Sequence, residues 1–277
     1  MYKLKRAQIT GMNQHYRRFS FESYLDSMEA CGITSLEMWC GAPHFVLDSS
    51  HYMSPAPLLR MAKERGMHFS ALTAPSMQWQ HQFASPGPER QKRAVTYYKN
   101  GAAVAAELGA AVMSINSGWG YWDEDQAEGM KRFREAVSQV ADYAQTLGVT
   151  LALESLQPVE SNLVVTLKDA EQFFASFRHP AVKMMVDVDA VYASGETVEQ
   201  WFQTFGKEII HCHFIDGGPS GHRVFGDGVF PLEAIIHTLE KYQYSGALTV
   251  ELGSAYTLDP FKAERQNMAA LGRLISD

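Results

Sequence analysis

The sequence predicts a single (β/α)8 TIM barrel, and two features of the chain support this prediction. Short apolar runs with the character of buried strands alternate with longer segments of helical periodicity, as expected for parallel strands in βα units. Eight strand runs occur within 277 residues, a length that suits a (β/α)8 domain. No linker-like or low-complexity stretch divides the chain, so we expect one domain over residues 1–277.

The predicted strands are short and mostly apolar. In chain order they cover residues 6–10, 35–39, 68–73, 111–116, 150–154, 182–187, 209–216 and 247–251. An open doubly wound sheet is the alternative arrangement. The glycine-rich dinucleotide fingerprint of its classical form does not follow the first strand, and this absence favours the barrel.

Amphipathic segments lie between these strands. The clearest of them cover residues 20–31, 89–108, 126–147, 167–176, 230–241 and 260–275. Several helical stretches stop at a glycine just before the next strand, namely at Gly32, Gly66, Gly109 and Gly148. Glycine is favoured just past a helix end because it adopts the left-handed conformation without a steric penalty.

Composition and charge exclude several classes of protein. The net charge of −7 argues against a nucleic-acid partner, because such binders usually carry a basic face. The three cysteines contain no CxxC pair, so they form neither a disulfide framework nor a zinc ribbon, and Cys212 is expected to be a buried thiol. Since the chain shows neither a signal peptide nor an apolar run long enough for a membrane span, we expect a cytoplasmic protein.

Potential metal ligands stand at or near the ends of four consecutive predicted strands. Glu154, Asp187, His213 and Glu251 belong to strands five to eight. Barrel enzymes build their active sites at the carboxyl ends of the strands, so these side chains should meet on one rim. Three unpaired carboxylates there would repel one another and raise their own pKa values. A divalent cation would remove that repulsion.

The type of ligand indicates the type of metal. Three carboxylates and one imidazole form a mostly hard, oxygen-rich set, which favours Mn²⁺ or Mg²⁺. Co²⁺, Ni²⁺ or Zn²⁺ would be tolerated through the imidazole, and a closed structural zinc site would more usually contain thiolates. We therefore expect a divalent cofactor, with Mn²⁺ the first choice.

Five segments resemble the sugar isomerase and epimerase barrels of the xylose-isomerase-like superfamily. They are LEMWCGAPHF (36–45), LESLQPVESN (153–162), MMVDVDAVYASGE (184–196), HCHFIDGG with GHRVFGDG (211–228), and LTVELGSAYTLDP (248–260). Within the superfamily, the chain is most similar to the ketose 3-epimerases, fructoselysine 3-epimerases among them. The resemblance extends over nearly the whole chain.

The resemblance implies a metal-dependent 3-epimerase that binds its cation through Glu154, Asp187, His213 and Glu251. Epimerisation at C3 of a ketose removes a proton beside the C2 carbonyl, gives a cis-enediolate, and returns a proton to the opposite face. One base cannot readily serve both faces, so the resemblance assigns Glu154 and Glu251 as the acid–base pair. It also implies a small-molecule sugar as the substrate and a homo-oligomeric assembly, either a dimer or a tetramer.

Further residues are candidates for substrate binding. Glu160 matches a position that contacts substrate in the resembled epimerases, and His222 matches a histidine that they carry. Either His222 or the adjacent Arg223 is a candidate for a hydrogen bond to the substrate, although Arg223 could instead be a solvated loop charge. Trp39, His44 and Trp119 lie in loops after strands two and four, where aromatic rings can pack on a sugar or fill the core. The segment Trp79–His81 lies in a long loop that is a candidate lid or dimer contact.

The sequence departs from the free-ketose epimerases at two positions. Those enzymes carry a histidine where this chain has Ala190 and an arginine where it has Pro219. Both groups usually hold the first hydroxyls of the sugar. Their absence argues against a free ketose as the best substrate and suits a ketose modified at C1.

Other activities use a similar barrel. Apurinic-site endonucleases need extra histidines at strands three and four, where this chain has Thr73, Asn116 and Ser117. An inosose-type dehydratase or an aldose–ketose isomerase would use the same metal site and stays an alternative. A sugar-binding barrel without catalysis predicts a broken ligand set, whereas all four ligands are present here.

Overall fold

Eight parallel strands close into a barrel in the computed structural model, which describes residues 2–75, 80–219 and 221–275. The strands β1 to β8 are Ile9–Met12, Ser35–Trp39, His68–Thr73, Val112–Asn116, Thr150–Glu154, Val182–Asp187, Ile209–His213 and Leu248–Val250. Each strand pairs with the next along the chain, and β8 pairs with β1. The predicted (β/α)8 barrel is therefore confirmed.

Nine α-helices surround the barrel within the described ranges. The helices α1 to α9 are Phe21–Ala30, Ala56–Glu64, Pro88–Leu108, Gln126–Thr146, Leu167–Ser176, Val188–Ala193, Val198–Phe205, Leu232–Lys241 and Pro260–Leu274. All six predicted helical segments are present, with ends shifted by at most two residues, and α2, α6 and α7 are additional. The four helix-ending glycines have positive φ angles of 70° to 79°, as their C′ role requires.

Four strands differ from their predicted bounds, β4 by one residue at one end, β8 by one residue at each end, and β1 and β7 by more. The strand β1 begins at Ile9 because Arg6–Gln8 form a short 3₁₀ turn instead. The strand β7 ends at His213, three residues before the predicted end at Asp216. The Asp216 carboxylate instead organises the following loop, since it accepts backbone N–H groups from Gly217, Gly226, Gly228 and Phe230.

The core lies both inside the barrel and between the strands and the helices. Trp201 on α7 and Phe133 on α4 are fully buried, and the Phe133 ring lies 5.0 Å from Phe173 on α5. All three cysteines are buried, including Cys212 as predicted. Among the described residues, every helix is too short or too polar to span a bilayer.

The strand register places the candidate ligands on one rim. Parallel strands share one carboxyl-terminal end of the barrel, and Glu154, Asp187 and His213 are the last residues of β5, β6 and β7. Asp187 pairs with His213 across the β6–β7 ladder. Glu251 follows the last residue of β8 directly.

Candidate active site

Four ligand-type side chains converge on the rim of the barrel. Potential ligand atoms of Glu154, Asp187, His213 and Glu251 all lie within 4.8 Å of one another. The imidazole stands at the centre, because its Nδ1 lies 2.8 Å from Glu251 Oε2, 3.0 Å from Glu154 Oε1 and 3.6 Å from Asp187 Oδ2. The structure thus brings together all four residues of the predicted ligand set.

Asp187 is held in place by the helix that follows it. Its Oδ1 accepts the backbone N–H groups of Asp189 at 2.7 Å and Ala190 at 3.2 Å, so the side chain caps α6. The other oxygen, Oδ2, faces His213. One carboxylate therefore satisfies a helix terminus and still presents an oxygen to the cluster.

The cluster fits a divalent cation. The Nδ1 atom of His213 is buried and makes no hydrogen bond, although carboxylate oxygens surround it. Three carboxylates and one imidazole nitrogen at these distances are the donors that manganese or magnesium accepts. A bound cation would engage the nitrogen and offset the repulsion between the carboxylates.

Burial and mutual charge shift the pKa values of the metal-free cluster. Burial raises the pKa of Glu154 to about 7, with His213 opposing the rise and the neighbouring carboxylates adding to it. Burial lowers the pKa of His213, but the charges of Glu251, Glu37 and Glu154 outweigh it and hold the pKa well above the usual range. For Asp187, His222 and His213 outweigh burial and lower the pKa.

A buried carboxylate supports the imidazole from inside the barrel. Glu37, in the middle of β2, lies 3.3 Å from His213 Nε2 and 2.7 Å from His211 Nε2. It also accepts hydroxyl hydrogen bonds from Thr249 at 2.6 Å and Thr73 at 2.5 Å. Burial raises the pKa of Glu37, but the two imidazoles outweigh it and bring the pKa well below the usual range. An ionised Glu37 directs Nε2–H of His213 inward and leaves Nδ1 facing the carboxylates.

The cluster opens into a cavity of about 230 Å³. The ligands Glu154, Asp187 and Glu251 line it together with Trp39, Glu160 and His222, which were predicted to bind substrate. Its other lining residues are Gln14, Thr73, Pro75, Asn116, Ser155, Leu156, Gln157 and Ala190. A polar cavity bordered by metal-type ligands suits a small hydroxylated molecule.

The polar residues of this cavity are tied to the cluster. His222 lies 2.9 Å from the backbone carbonyl of Glu251 through Nδ1, and its Nε2 stands 3.7 Å from Asp187 Oδ2. Burial lowers the pKa of His222, but the charges of Asp187, Glu251 and Asp189 outweigh it and raise the pKa. Glu160 accepts the backbone N–H of Gln157 at 3.1 Å, and burial raises its pKa.

Three residues that were predicted to bind substrate are not among the described residues that line this cavity. The ring of His44 is buried, and its nitrogens lie 3.0 Å from Asn13 Nδ2 and 2.8 Å from the Phe19 carbonyl. The Arg223 backbone bonds to Asp216 in the loop after β7. The Trp119 ring lies 6.3 Å from Tyr121. A substrate role for His44, Arg223 or Trp119 therefore stays a prediction from the sequence.

The predicted lid loop lies partly outside the described residues. Trp79 belongs to that undescribed stretch. Gln80 accepts a hydrogen bond from Arg93 on α3 at 3.2 Å. The His81 ring is buried and stacks on Tyr97 of the same helix at 3.9 Å, so this end of the loop packs on its own chain.

Several residues of the site escaped the sequence analysis. Glu37 and His211 lie inside strands, where a polar residue carries no local signal of its partner on another strand. Gln157 lines the cavity from a loop, where an amide side chain is common in any protein, and Asn116 lines it from the end of a strand. The strand-end rule that identified Glu154 also applies to Asn116, the last residue of β4.

Asp189 is a further buried carboxylate beside the cluster. It accepts Gln157 Nε2 at 2.6 Å and is 3% exposed. Burial raises its pKa to about 6, with His222 opposing the rise. A group with that pKa is mainly ionised at neutral pH.

Comparison with known families decides the assignment of the chain. The model of the xylose isomerase-like TIM barrel family matches residues 25–274. The chain belongs to this family. The predicted resemblance is therefore confirmed at the level of the family, and the strand-end cluster lies within the matched region.

The relatives that the chain resembles in sequence include 3-epimerases. Epimerases belong to the isomerase class of enzymes. The fructoselysine 3-epimerase of Escherichia coli O157:H7 is 24% identical over 264 residues, covering 95% of this chain and 96% of the relative. The D-psicose 3-epimerase of Agrobacterium fabrum is 28% identical over 127 residues, which cover 46% of this chain and 43% of the relative.

Solved structures share the fold along almost the whole chain. The apo 3-keto-D-glucoside 4-epimerase of E. coli superposes with a TM-score of 0.79 at 16% identity, covering 97% of this chain and 99% of that one. The D-psicose 3-epimerase of Clostridium cellulolyticum H10, solved with D-tagatose, gives 0.74 at 19% identity, with coverage of 95% and 97%. At such identities these likenesses establish the barrel.

Proposed function

We propose that this chain is a divalent-metal-dependent 3-epimerase of ketoses, with Glu154 and Glu251 as its acid–base pair. The observation that carries the proposal is the single cluster of three carboxylates and one imidazole at the mouth of the barrel. Both glutamates border the 230 Å³ cavity, so each has access to a bound sugar. The family membership and the relatives named as 3-epimerases support the same activity.

The two glutamates approach the cavity from different strands. Glu154 ends β5 and Glu251 follows β8, so two strands, β6 and β7, lie between them around the rim. One glutamate removes the proton at C3 of the ketose, and the other returns a proton to the opposite face. Which of them acts as the base depends on the direction of the reaction. A bound divalent cation supplies positive charge that stabilises negative charge developing on the sugar oxygens.

The other residues of the cavity position the sugar. Glu160 and His222 present polar atoms to the cavity, and Trp39 presents a ring. We propose that Glu160 and His222 hydrogen-bond the sugar hydroxyls and that Trp39 packs against its apolar face. His222 is held by the Glu251 carbonyl, so its position is coupled to the strand that supplies a catalytic group.

We further propose that the cation is Mn²⁺, with Mg²⁺, Co²⁺, Ni²⁺ or Zn²⁺ as substitutes, on the basis of the oxygen-rich ligand set. The substrate is a ketose or a C1-modified ketose of the fructoselysine type. Ala190 supports the modified substrate, because this small side chain borders the cavity beside Asp187. The cytoplasmic location and the dimeric or tetrameric assembly stay predictions from the sequence.

Product analysis tests the proposal. Purified protein with Mn²⁺ is incubated with a panel of ketoses that includes fructoselysine, psicose and tagatose, and the products are separated by chromatography. A 3-epimer that disappears with EDTA and with Glu251→Gln would support the proposal. Formation of an aldose would instead identify an aldose–ketose isomerase.

The second candidate function is dehydration of a cyclic polyol of the inosose type. It is favoured by the same ligand set, because loss of water beside a carbonyl also needs a proton acceptor and a cation. Loss of water from an inosose, together with no change in any ketose, would replace the epimerase by this dehydratase.

A further inference from the structure

A second cavity of about 440 Å³ lies beside the first. Gln157 lines both cavities and therefore stands at their common boundary. The second cavity is bordered by the end of α6 and by the loop after β7, through Asp189, Tyr192, Gly218, Pro219 and Phe230. None of these residues is a ligand of the strand-end cluster.

The boundary between the cavities carries a buried carboxylate. Asp189 Oδ2 accepts Gln157 Nε2 at 2.6 Å and lies 3.7 Å from His222 Nε2, and His222 belongs to the first cavity. The other oxygen, Oδ1, would lie 2.6 Å from a Cβ atom added at Gly217. The same Cβ would lie 2.5 Å from the Phe230 ring, so a glycine at position 217 lets the loop after β7 pack directly against Asp189 and Phe230.

An aromatic pair forms another part of the wall. The rings of Tyr192 and Phe230 stack with their centroids 4.7 Å apart and an angle of 21° between their planes. Among the described lining residues the only charged side chain is that of Asp189, and no lysine or arginine is present. Such a cavity favours an apolar chain with a cationic or hydrogen-bond-donating group, and it disfavours an anion placed next to Asp189, such as a phosphate on C1 of the sugar.

We propose that the second cavity is the subsite for a substituent on the sugar, namely an amine-bearing apolar chain whose nitrogen donates to Asp189. The chain of the substituent lies along Tyr192 and Phe230, and the sugar occupies the first cavity. The inference rests on the proposed function for the position of the sugar. It also goes beyond that function, because it excludes ketose 1-phosphates as preferred substrates.

Turnover of three matched ketoses tests the selectivity. The probes are fructose, 1-butylamino-1-deoxyfructose and fructose 1-phosphate, and kcat/KM for C3 epimerisation is measured with Mn²⁺. We expect the aminoketose to be the best substrate and the phosphate the worst. Asp189→Asn should lower the ratio of kcat/KM for the aminoketose to that for fructose at least tenfold. Asp227→Asn, the same change at an exposed loop carboxylate, serves as the control.

Binding of an unreactive analogue separates the subsite from the reaction. N-butyl-glucamine carries the amine and the chain but lacks a carbonyl, so it cannot be epimerised, and calorimetry gives its Kd with the Mn²⁺-loaded protein. We expect Asp189→Asn to weaken binding at least tenfold and Tyr192→Leu to weaken it severalfold. If none of the three ketoses reacts but this pattern holds, the proposed function fails and the subsite stands. Three results would each overturn the subsite. They are no detectable binding of N-butyl-glucamine, an unchanged Kd of this analogue in Asp189→Asn, and a higher kcat/KM for fructose 1-phosphate than for the aminoketose.

Discussion

Glu37 affects the geometry of the candidate metal site through His213, although it is not one of the four candidate ligands. It is not among the described lining residues of the active-site cavity and is fully buried, yet it contacts the hydroxyl groups of Thr73 and Thr249 and the imidazoles of His211 and His213. Its contact with His213 Nε2 orients the ring whose Nδ1 faces the three carboxylates. Such carboxylate–histidine pairs keep a metal-binding imidazole in one tautomer and one orientation.

We therefore expect Glu37→Gln to weaken Mn²⁺ binding about 10- to 100-fold, because the amide no longer fixes the imidazole. Calorimetric titration of the metal-free protein measures this loss. Glu264→Gln is the matched control, since Glu264 is also fully buried and lies 3.5 Å from a buried histidine, His15, outside the cluster. Equal Mn²⁺ affinity in the two variants would show that Glu37 only fills space.

The protonation of Glu154 predicts a pH dependence of metal binding. With a pKa of about 7 in the metal-free protein, Glu154 is mainly protonated at about pH 6 and mainly ionised at about pH 8. A ligating carboxylate must be ionised, so binding at the lower pH releases this proton, whereas binding at the higher pH does not. Mn²⁺ affinity should therefore fall as the pH drops below about 7.

Calorimetry in buffers of different ionisation enthalpy counts the released protons. Because carboxylates also raise the pKa values of His213 and His222, Glu154→Gln is measured alongside, and the part of the pH difference that this variant loses reports on Glu154. Equal proton release at the two pH values would contradict the assignment of Glu154 as a ligand with a raised pKa.

At the scale of elements, Asp187 lies at the junction between β6 and α6 and has two structural roles. The side chain caps α6 through one oxygen and faces the metal cluster through the other. Asparagine is also a good N-cap but carries no charge, so substitutions can separate the two roles.

Asp187→Asn and Asp187→Ala should both lose most of their Mn²⁺ affinity. Only the alanine variant loses the cap as well, so in EDTA it should be less stable than the asparagine variant by about 1 kcal/mol. Urea unfolding measures this difference in the free energy of unfolding. If the two variants unfolded alike, the cap would contribute nothing to stability.

The elements also show why the sequence predicts some segments better than others. A strand such as Ser35–Trp39 has its predicted bounds because a buried parallel strand is a mostly apolar run between clear turn signals. The helix α6 starts at Val188, directly after β6, so no break in the sequence separates the two. The end of β7 was placed too late because Phe214 and Ile215 continue the apolar run while Asp216 already holds the loop.

At the scale of the whole molecule, the barrel explains which part of the site the sequence could predict. Strand-end residues are predictable, because parallel topology alone places Glu154, Asp187, His213 and Glu251 on one rim. The contact between Glu37 on β2 and His211 on β7 is different, since it crosses the barrel interior between residues 174 positions apart. Such a contact depends on closure of the barrel, and a local sequence pattern cannot reveal it.

Metal removal should destabilise the whole barrel, because the four proposed ligands come from the ends of β5, β6 and β7 and from the residue after β8. Mn²⁺ at one hundred times its Kd should add about 2.7 kcal/mol to the free energy of unfolding, since it binds only the folded chain. Thermal unfolding with increasing Mn²⁺, and with EDTA, measures this effect. Asp189→Asn is the comparison variant because Asp189 is no member of the cluster. A Tm independent of Mn²⁺ would argue against a metal bound by four strands.

The most direct test of the central proposal is proton exchange at C3, followed by NMR. The protein is incubated in D₂O with Mn²⁺ and a reactive ketose, and the C3 proton signal is observed over time. We expect loss of this signal together with appearance of the 3-epimer, and both should stop with EDTA and with Glu251→Gln. A bound metal without C3 exchange in fructoselysine, psicose or tagatose would contradict the proposed epimerase activity and favour dehydration of a cyclic polyol.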